Sequence, residues 1–206
     1  MFATDGRYTK IMHHRQPARN PVRTALACLV GAAAANAILT MPTHAADSTP
    51  TLARKENDLS DKFTTLRPGF SVSPQLSKED IATAAALGYT LIVNNRPDGE
   101  MFGQPKSAEL EAAARAAGMS YAHIPVDGRG VSMEHVSALK EALDAAGEKT
   151  LAFCRSGTRS TFVQAFLAAS QGRPADEIIA EAAAAGYDIS SARQALEALN
   201  TSNQEG

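Results

Sequence analysis

The chain has 206 residues, 44% of them hydrophobic and 20% charged, which suits one folded domain with a real core plus flanking segments. With 20 basic and 22 acidic side chains, the formal net charge is −2, and this lacks the basic excess of a nucleic-acid-binding protein. Two cysteines are too few for a disulfide framework, no spaced set of Cys and His suggests a metal site, and no cofactor is expected.

In the N-terminal segment, Arg15, Arg19 and Arg23 precede an apolar, alanine-rich run from Thr24 to Met41. Pro42 breaks the run, and Thr43-His44-Ala45 ends it with small residues at the first and third positions. Basic, apolar, then small-x-small is the pattern of a secretory signal peptide over residues 1–45, with cleavage expected after Ala45 and a periplasmic product. An uncleaved anchor competes with that reading, but the apolar part is short for a membrane span and no second span follows. Cleavage would remove five of the 20 basic and one of the 22 acidic side chains, leaving 15 and 21 and a formal charge of −6. That balance argues against nucleic acid or an anionic membrane as partner. Cleavage would also remove Cys28, so that Cys154 is the single thiol of a chain in an oxidising compartment. A leftover cysteine there is either an intermolecular bridge or a reactive thiol.

Residues 46–66 are polar without sustained periodicity and read as a linker. The folded domain is expected from 67 to 200, with a disordered tail at 201–206. Phe70-Ser-Val-Ser is a short alternating strand. Ser77-Lys-Glu-Asp80 has the form of a capping box opening a helix with Ile81, Ala84 and Ala85 on one face, and Gly88 ends it. Thr90-Leu-Ile-Val93 is a buried strand that runs into the turn Asn94-Asn-Arg-Pro-Asp-Gly-Glu100. Ser107 opens a helix that stops at Gly118. Ser120-Tyr-Ala-His-Ile-Pro125 is a third strand, followed by the loop Val126-Asp127-Gly128-Arg-Gly130. Ser132 opens the next helix, with Val136, Leu139 and Leu143 on its apolar face. Leu151-Ala-Phe153 is a fourth strand, and a helix after it runs to Gly172. Pro174 opens another helix that ends at Gly186. Ile189, Ala192, Leu196 and Leu199 then line one face of a last helix. Alternating strands and helices of about three turns imply an α/β fold, a mostly parallel sheet of about four strands flanked by helices. In such sheets ligands bind beyond the carboxyl ends of the strands, where the loops 94–100, 126–130 and 154–160 all lie.

The loop Cys154-Arg-Ser-Gly-Thr-Arg-Ser160 carries the chemistry. A buried strand delivers Cys154 to a polar, glycine-containing turn that opens into a helix. Helix N-termini present unpaired N–H groups and a partial positive charge, and Arg155 and Arg159 add two full charges. A free thiol of pKa about 8.5 is mostly protonated at neutral pH, and this environment favours the thiolate. The same donors suit an oxyanion over the sulfur. The alternative is an inert cysteine ending a strand, with its arginines solvated.

At these residues the chain resembles the phosphatase-like domain of the beta-lactamase-hydrolase-like protein family, from Phe70 to about Phe166. The matching pieces are Phe70-Ser-Val-Ser-Pro-Gln-Leu, Val93-Asn-Asn-Arg-Pro-Asp-Gly-Glu100, His123-Ile-Pro-Val126 and Cys154-Arg-Ser-Gly-Thr-Arg-Ser160. The resemblance implies a dual-specificity-phosphatase-like fold and a cysteine-dependent hydrolase. In that mechanism the Cys154 thiolate attacks phosphorus, and a thiophosphate forms. Arg159 and the amides of Arg155, Ser156, Gly157, Thr158 and Ser160 bind the anion. Asp127 protonates the leaving group and then activates water. Members of this family have been described both as phosphatases and as sulfurtransferases. Only four residues separate Cys154 from Arg159, the shorter form seen in rhodaneses, where the cysteine carries a persulfide. The expected substrate is therefore a small anion, either a phosphate ester or a sulfane-sulfur donor. In the sulfur-transfer reading Asp127 is only a turn residue before Gly128. A third reading is a non-catalytic anion-binding module. Arg96 and Asp98 are further candidates, as a second anion clamp and a substitute acid, although Asn-Arg-Pro-Asp-Gly also reads simply as a turn. His123 reads as a satisfied core residue, and His135 as a surface one.

Overall fold

The structure is a computed structural model that describes residues 62–146 and 148–202. The signal-peptide reading of residues 1–45 lies outside the described residues, as does most of the 46–66 linker. The described chain forms a sheet in the order β1-β2-β5-β3-β4. Its strands are β1 (Thr64–Arg67), β2 (Phe70–Ser73), β3 (Leu91–Asn94), β4 (Ser120–His123) and β5 (Thr150–Phe153). The helices are α1 (Lys78–Ala86), α2 (Ser107–Ala116), α3 (Met133–Ala146), α4 (Thr158–Ser170), α5 (Ala175–Ala184) and α6 (Arg193–Ser202). A 3-10 turn at Ser190–Ala192 leads into α6.

Four strands were expected, and β1 is the fifth. It pairs antiparallel with β2 through a turn in which Gly69 has φ 78°, the conformation that the third residue of a Pro-Gly turn requires. Phe63 and Leu66, placed in the linker by their polar neighbours, are buried. The folded domain therefore begins before residue 67. At the other end α6 runs to Ser202, past the expected start of the tail.

The remaining strand pairs are parallel, and their registers align Ser73, Phe153, Asn94 and His123 at one edge. β2, β3 and β5 are buried along their whole length, as parallel strands covered on both faces must be. Alternation then sorts their side chains between two cores. Val72, Leu91, Val93 and Ala152 pack with Leu139, Val163, Leu167, Ile178 and Leu196 of α3 to α6. Ile92, Leu151 and Phe153 pack with Ile81 and Leu110 of α1 and α2. α4 is the central helix, with Ser160, Thr161, Val163, Gln164, Ala165, Leu167, Ala168 and Ala169 all buried. Its alanines let it lie close to the sheet, and that fixes its N-terminus directly beyond the end of β5.

α1 has the capping box expected from sequence. The Ser77 hydroxyl accepts from the Asp80 amide at 3.2 Å, and the Asp80 carboxylate accepts from the Ser77 amide at 2.7 Å. α2 is capped differently. Its N-cap residue Lys106 makes no side-chain bond. The first helical amide, that of Ser107, instead donates to Asp98 at 2.8 Å.

Candidate functional site

Cys154 follows β5 directly and is 1% exposed, so its sulfur forms the floor of the loop rather than its rim. The Gly157 amide donates to Sγ at 3.2 Å. Burial pushes the thiol up, but the backbone amides of Ser156, Ser160, Arg159 and Gly157 together outweigh it and hold the pKa below the ordinary thiol value. Gly157 is the N-cap of α4 with φ 95°, a left-handed conformation that only glycine adopts freely. Its carbonyl accepts from the Thr161 amide at 3.0 Å and the Thr161 hydroxyl at 3.1 Å, which seats the turn on the helix. The helix N-terminus therefore points at the sulfur with its amides unspent on other partners.

Arg159, in the first turn of α4, reaches across two neighbouring loops. Its Nη1 donates to the Val126 carbonyl at 2.9 Å, and its Nη2 donates to Glu100 Oε2 at 3.0 Å. Nη1 also lies 2.8 Å from Glu100 Oε1. Partial burial pulls the guanidinium down, but Glu100 and the Cys154 charge raise it, so Arg159 stays cationic beside the sulfur. Glu100 was not singled out by sequence. Hydrogen bonding from Arg159 holds its carboxyl below the usual range against partial desolvation, with Arg96 contributing as well.

Arg96 is 4% exposed. Its Nε donates to Glu100 at 2.6 Å and its Nη1 to Gln75 Oε1 at 2.7 Å, while its Nη2 is buried without a hydrogen-bond partner among the described residues. These bonds fit the turn reading, since the guanidinium is engaged by Gln75 and Glu100 of the protein itself. Arg96 shapes the turn and braces the carboxylate that braces Arg159. His123 Nε2 contacts the Arg96 carbonyl at 3.0 Å, in keeping with a satisfied structural role. Asp98 Oδ1 caps α2, which fits the reading of this stretch as a turn. His135 is not a free surface residue. Its Nδ1 accepts from the Ser132 amide at 2.9 Å and its Nε2 contacts the Pro125 carbonyl at 3.1 Å, so it anchors the loop that carries Asp127.

Asp127 lies in that loop, one residue after the carbonyl that Arg159 holds. Its side chain is exposed and paired to Arg129, with Oδ2 accepting from Nη2 at 2.7 Å and Oδ1 accepting from the Arg129 amide at 2.9 Å. These bonds, the side-chain ones foremost, lower its pKa to about 2. A ready proton donor was expected, whereas this pairing holds an ionised carboxylate. Among the other loop residues, Arg155 is exposed and its carbonyl accepts from the Gln75 amide at 3.4 Å. The Ser156 hydroxyl pairs with that of Thr158 at 3.1 Å. The Ser160 hydroxyl is fully buried with no partner among the described residues.

Residues 62–171 match the family described as "Beta-lactamase hydrolase-like protein, phosphatase-like domain". The Beta-lactamase hydrolase-like protein of Xylella fastidiosa is 32% identical over 142 residues, covering 66% of this chain and 33% of that protein. The chain thus spans about a third of that relative's length. A solved Neisseria meningitidis protein, provisionally described as a phosphatase, is 35% identical with a TM-score of 0.60, over 66% of this chain and 96% of its own. Kinase associated phosphatase, solved with its catalytic-site cysteine replaced by serine, matches with a TM-score of 0.55 over 70% of this chain and 96% of its own. At 15% identity that likeness is one of fold.

Proposed function

The chain belongs to the beta-lactamase hydrolase-like, phosphatase-like domain family, and from that premise we propose that it is a cysteine-dependent phosphatase acting on phosphate monoesters. The observation that carries this reading is the convergence of four amides on the Cys154 sulfur, with Arg159 beside it. In the first step the Cys154 thiolate attacks phosphorus and the alcohol or phenol departs, leaving a thiophosphate on Sγ. The loop amides and Arg159 carry the charge that develops on the equatorial oxygens. In the second step water attacks the same phosphorus and returns the thiolate. The buried Ser160 hydroxyl, without a partner among the described residues, is assigned in this reading to donate to the departing sulfur.

Asp127 is assigned chiefly to the second step. As the ionised partner of Arg129 it can accept a proton from the attacking water. For the first step it lacks a proton at neutral pH, so this conformation favours substrates whose leaving group departs unassisted, as a phenol with an acidic hydroxyl does. The test is phosphate release from an aryl phosphate. Wild type should turn over and Cys154→Ser should not. Turnover by Cys154→Ser at the wild-type rate would remove the proposal.

One observation favours a second reading. Four residues, Arg155 to Thr158, separate Cys154 from Arg159, and sulfur transfer needs no proton donor at Asp127. A persulfide on Cys154 would then pass sulfur to cyanide or a thiol. Thiocyanate formation from thiosulfate and cyanide, insensitive to Asp127→Asn, would establish that chemistry in place of phosphoryl transfer.

A further inference from the structure

The family match ends at residue 171, yet a side chain from beyond it rests on the Cys154 loop. α5 ends at Ala184 and is closed beyond its C-cap by Gly186, with φ 84°, where the Gly186 amide bonds the Ala183 carbonyl and the Tyr187 amide bonds the Ala182 carbonyl at 2.9 Å each. This paired closure fixes the backbone direction at Tyr187. Ile189 and Leu196, both fully buried, pin the segment that follows. The Tyr187 side chain is thereby directed onto the turn before α4. Its hydroxyl lies 3.4 Å from the Ser156 carbonyl, and a Cβ added to Gly157 would come within 2.3 Å of it.

The carbonyl of Ser156 and the amide of Gly157 belong to one peptide group. In a trans peptide they point in opposite directions. Here the carbonyl faces Tyr187 and the N–H faces Cys154 Sγ at 3.2 Å. Rotating that peptide by half a turn would aim a carbonyl oxygen at the thiolate and at any anion bound over it. A following glycine makes such a rotation inexpensive, because glycine tolerates both signs of φ. Something outside the loop has to hold the orientation.

We propose that Tyr187 is a positioning residue that latches the Ser156–Gly157 peptide with its N–H toward Cys154, so that the segment following the family match completes the anion site. Burial pushes the phenol pKa up, which keeps the hydroxyl protonated and able to donate at neutral pH. Arg159, with Glu100 as its partner, and Tyr187 itself are the titratable groups whose charge or hydrogen bonds act on the Cys154 sulfur or on its neighbours in the loop. Tyr187→Phe leaves both ionised side chains in place and deletes the latch hydroxyl, together with its hydrogen bond to Thr64. The inference uses the same site as the phosphatase reading, but it concerns the thiol and is testable without turnover.

The experiment measures the rate of Cys154 alkylation by iodoacetamide against pH, in the full chain, for wild type, Tyr187→Phe and Tyr187→Ala. Aryl phosphate turnover and melting temperature are recorded on the same samples. The alkylation midpoint should rise in Tyr187→Phe and rise further in Tyr187→Ala. The ionisation constant of the thiol should fall about fivefold for the lost hydroxyl, the scale of one net hydrogen bond, which raises the midpoint by about 0.7 pH unit. The melting temperature of Tyr187→Phe should fall by no more than the few degrees that one or two lost hydrogen bonds account for. Should both variants keep the wild-type midpoint, or should Tyr187→Phe shift it only in proportion to a lost melting temperature, the latch is refuted. A wild type with a depressed midpoint but no phosphatase turnover would refute the phosphatase reading and leave the latch to be decided by the variants.

Discussion

Cys154, Glu100 and Asp127 each owe their charge state to one neighbour or one small group of neighbours. The thiol is depressed by amides against its own burial, so each donor contributes only part of the effect. Glu100 sits between two guanidiniums, and Arg96 is the more buried of the two. Removing Glu100 would leave Arg96 charged inside the protein. Glu100→Ala should therefore cost about 2 kcal/mol, below the fully buried case because Glu100 keeps some solvent contact. Glu100→Gln, which retains an acceptor, should cost less, and chemical denaturation of both variants reads the difference. For Asp127 the assignment as base in the second step makes a kinetic prediction. Asp127→Asn should slow steady-state turnover about a hundredfold. It should also release a burst of one aryl product per Cys154, because the thiophosphate then accumulates. Slow turnover with no burst would move Asp127 to the first step. If it is the first-step acid, Arg129→Ala should extend activity to higher pH, since losing that partner lets the carboxyl pKa rise from about 2.

At the scale of elements, the sheet edge does the assembly. The aligned ends of β2, β5, β3 and β4 put four loops side by side, and Gln75, Arg96, Glu100, Val126 and Arg159 tie them together. The strands were legible because their apolar runs are short and bounded by glycine, proline and polar turns. The capping box of α1 was legible because its partners are three residues apart. Ser77→Ala should lower stability by about 1 kcal/mol, seen as a melting temperature a few degrees lower with turnover unchanged. β1 was not legible because Leu66 is its one buried residue, set among Thr64, Thr65 and Arg67, and only pairing with β2 identifies it. Glu100 was missed for another reason. Its partner Arg159 is 59 residues away, and no local pattern marks a carboxylate that will meet a distant guanidinium. Tyr187 was hidden in the same way, 31 residues from the Ser156 carbonyl.

Over the whole molecule, the pH limits of stability follow from which groups the fold shifts. Glu79, Glu100, Asp127 and Asp188 are all held below their ordinary values. Groups of that kind stabilise the fold above the unfolded carboxylate range near pH 4, and the stabilisation is lost as pH falls through their lowered values, which for Asp127 is about 2. Tyr121 behaves oppositely. Burial in the α2-side core raises it to about 12, so its contribution is intact below about pH 10 and is lost as pH rises toward 12. Melting temperature should therefore fall at both ends, and between them rise gently as pH approaches the ordinary thiol value near about 8.5, because Cys154 is also held below it. A protein whose stability keeps rising below pH 4 would contradict this distribution. The same whole-molecule view explains why the reactive group can be a single sulfur. The α/β framework supplies rigidity, α4 supplies donors, and two neighbouring loops supply the guanidinium's supports.

The most direct test of that account is the mass of the peptide containing Cys154 after rapid acid quench during turnover of an aryl phosphate by Asp127→Asn. The account predicts that this peptide carries the mass of one phosphoryl group, and that the group is absent from the Cys154→Ser protein treated in the same way. An unmodified Cys154 peptide during active phosphate release, or one carrying only a sulfur that reductant removes, would contradict it.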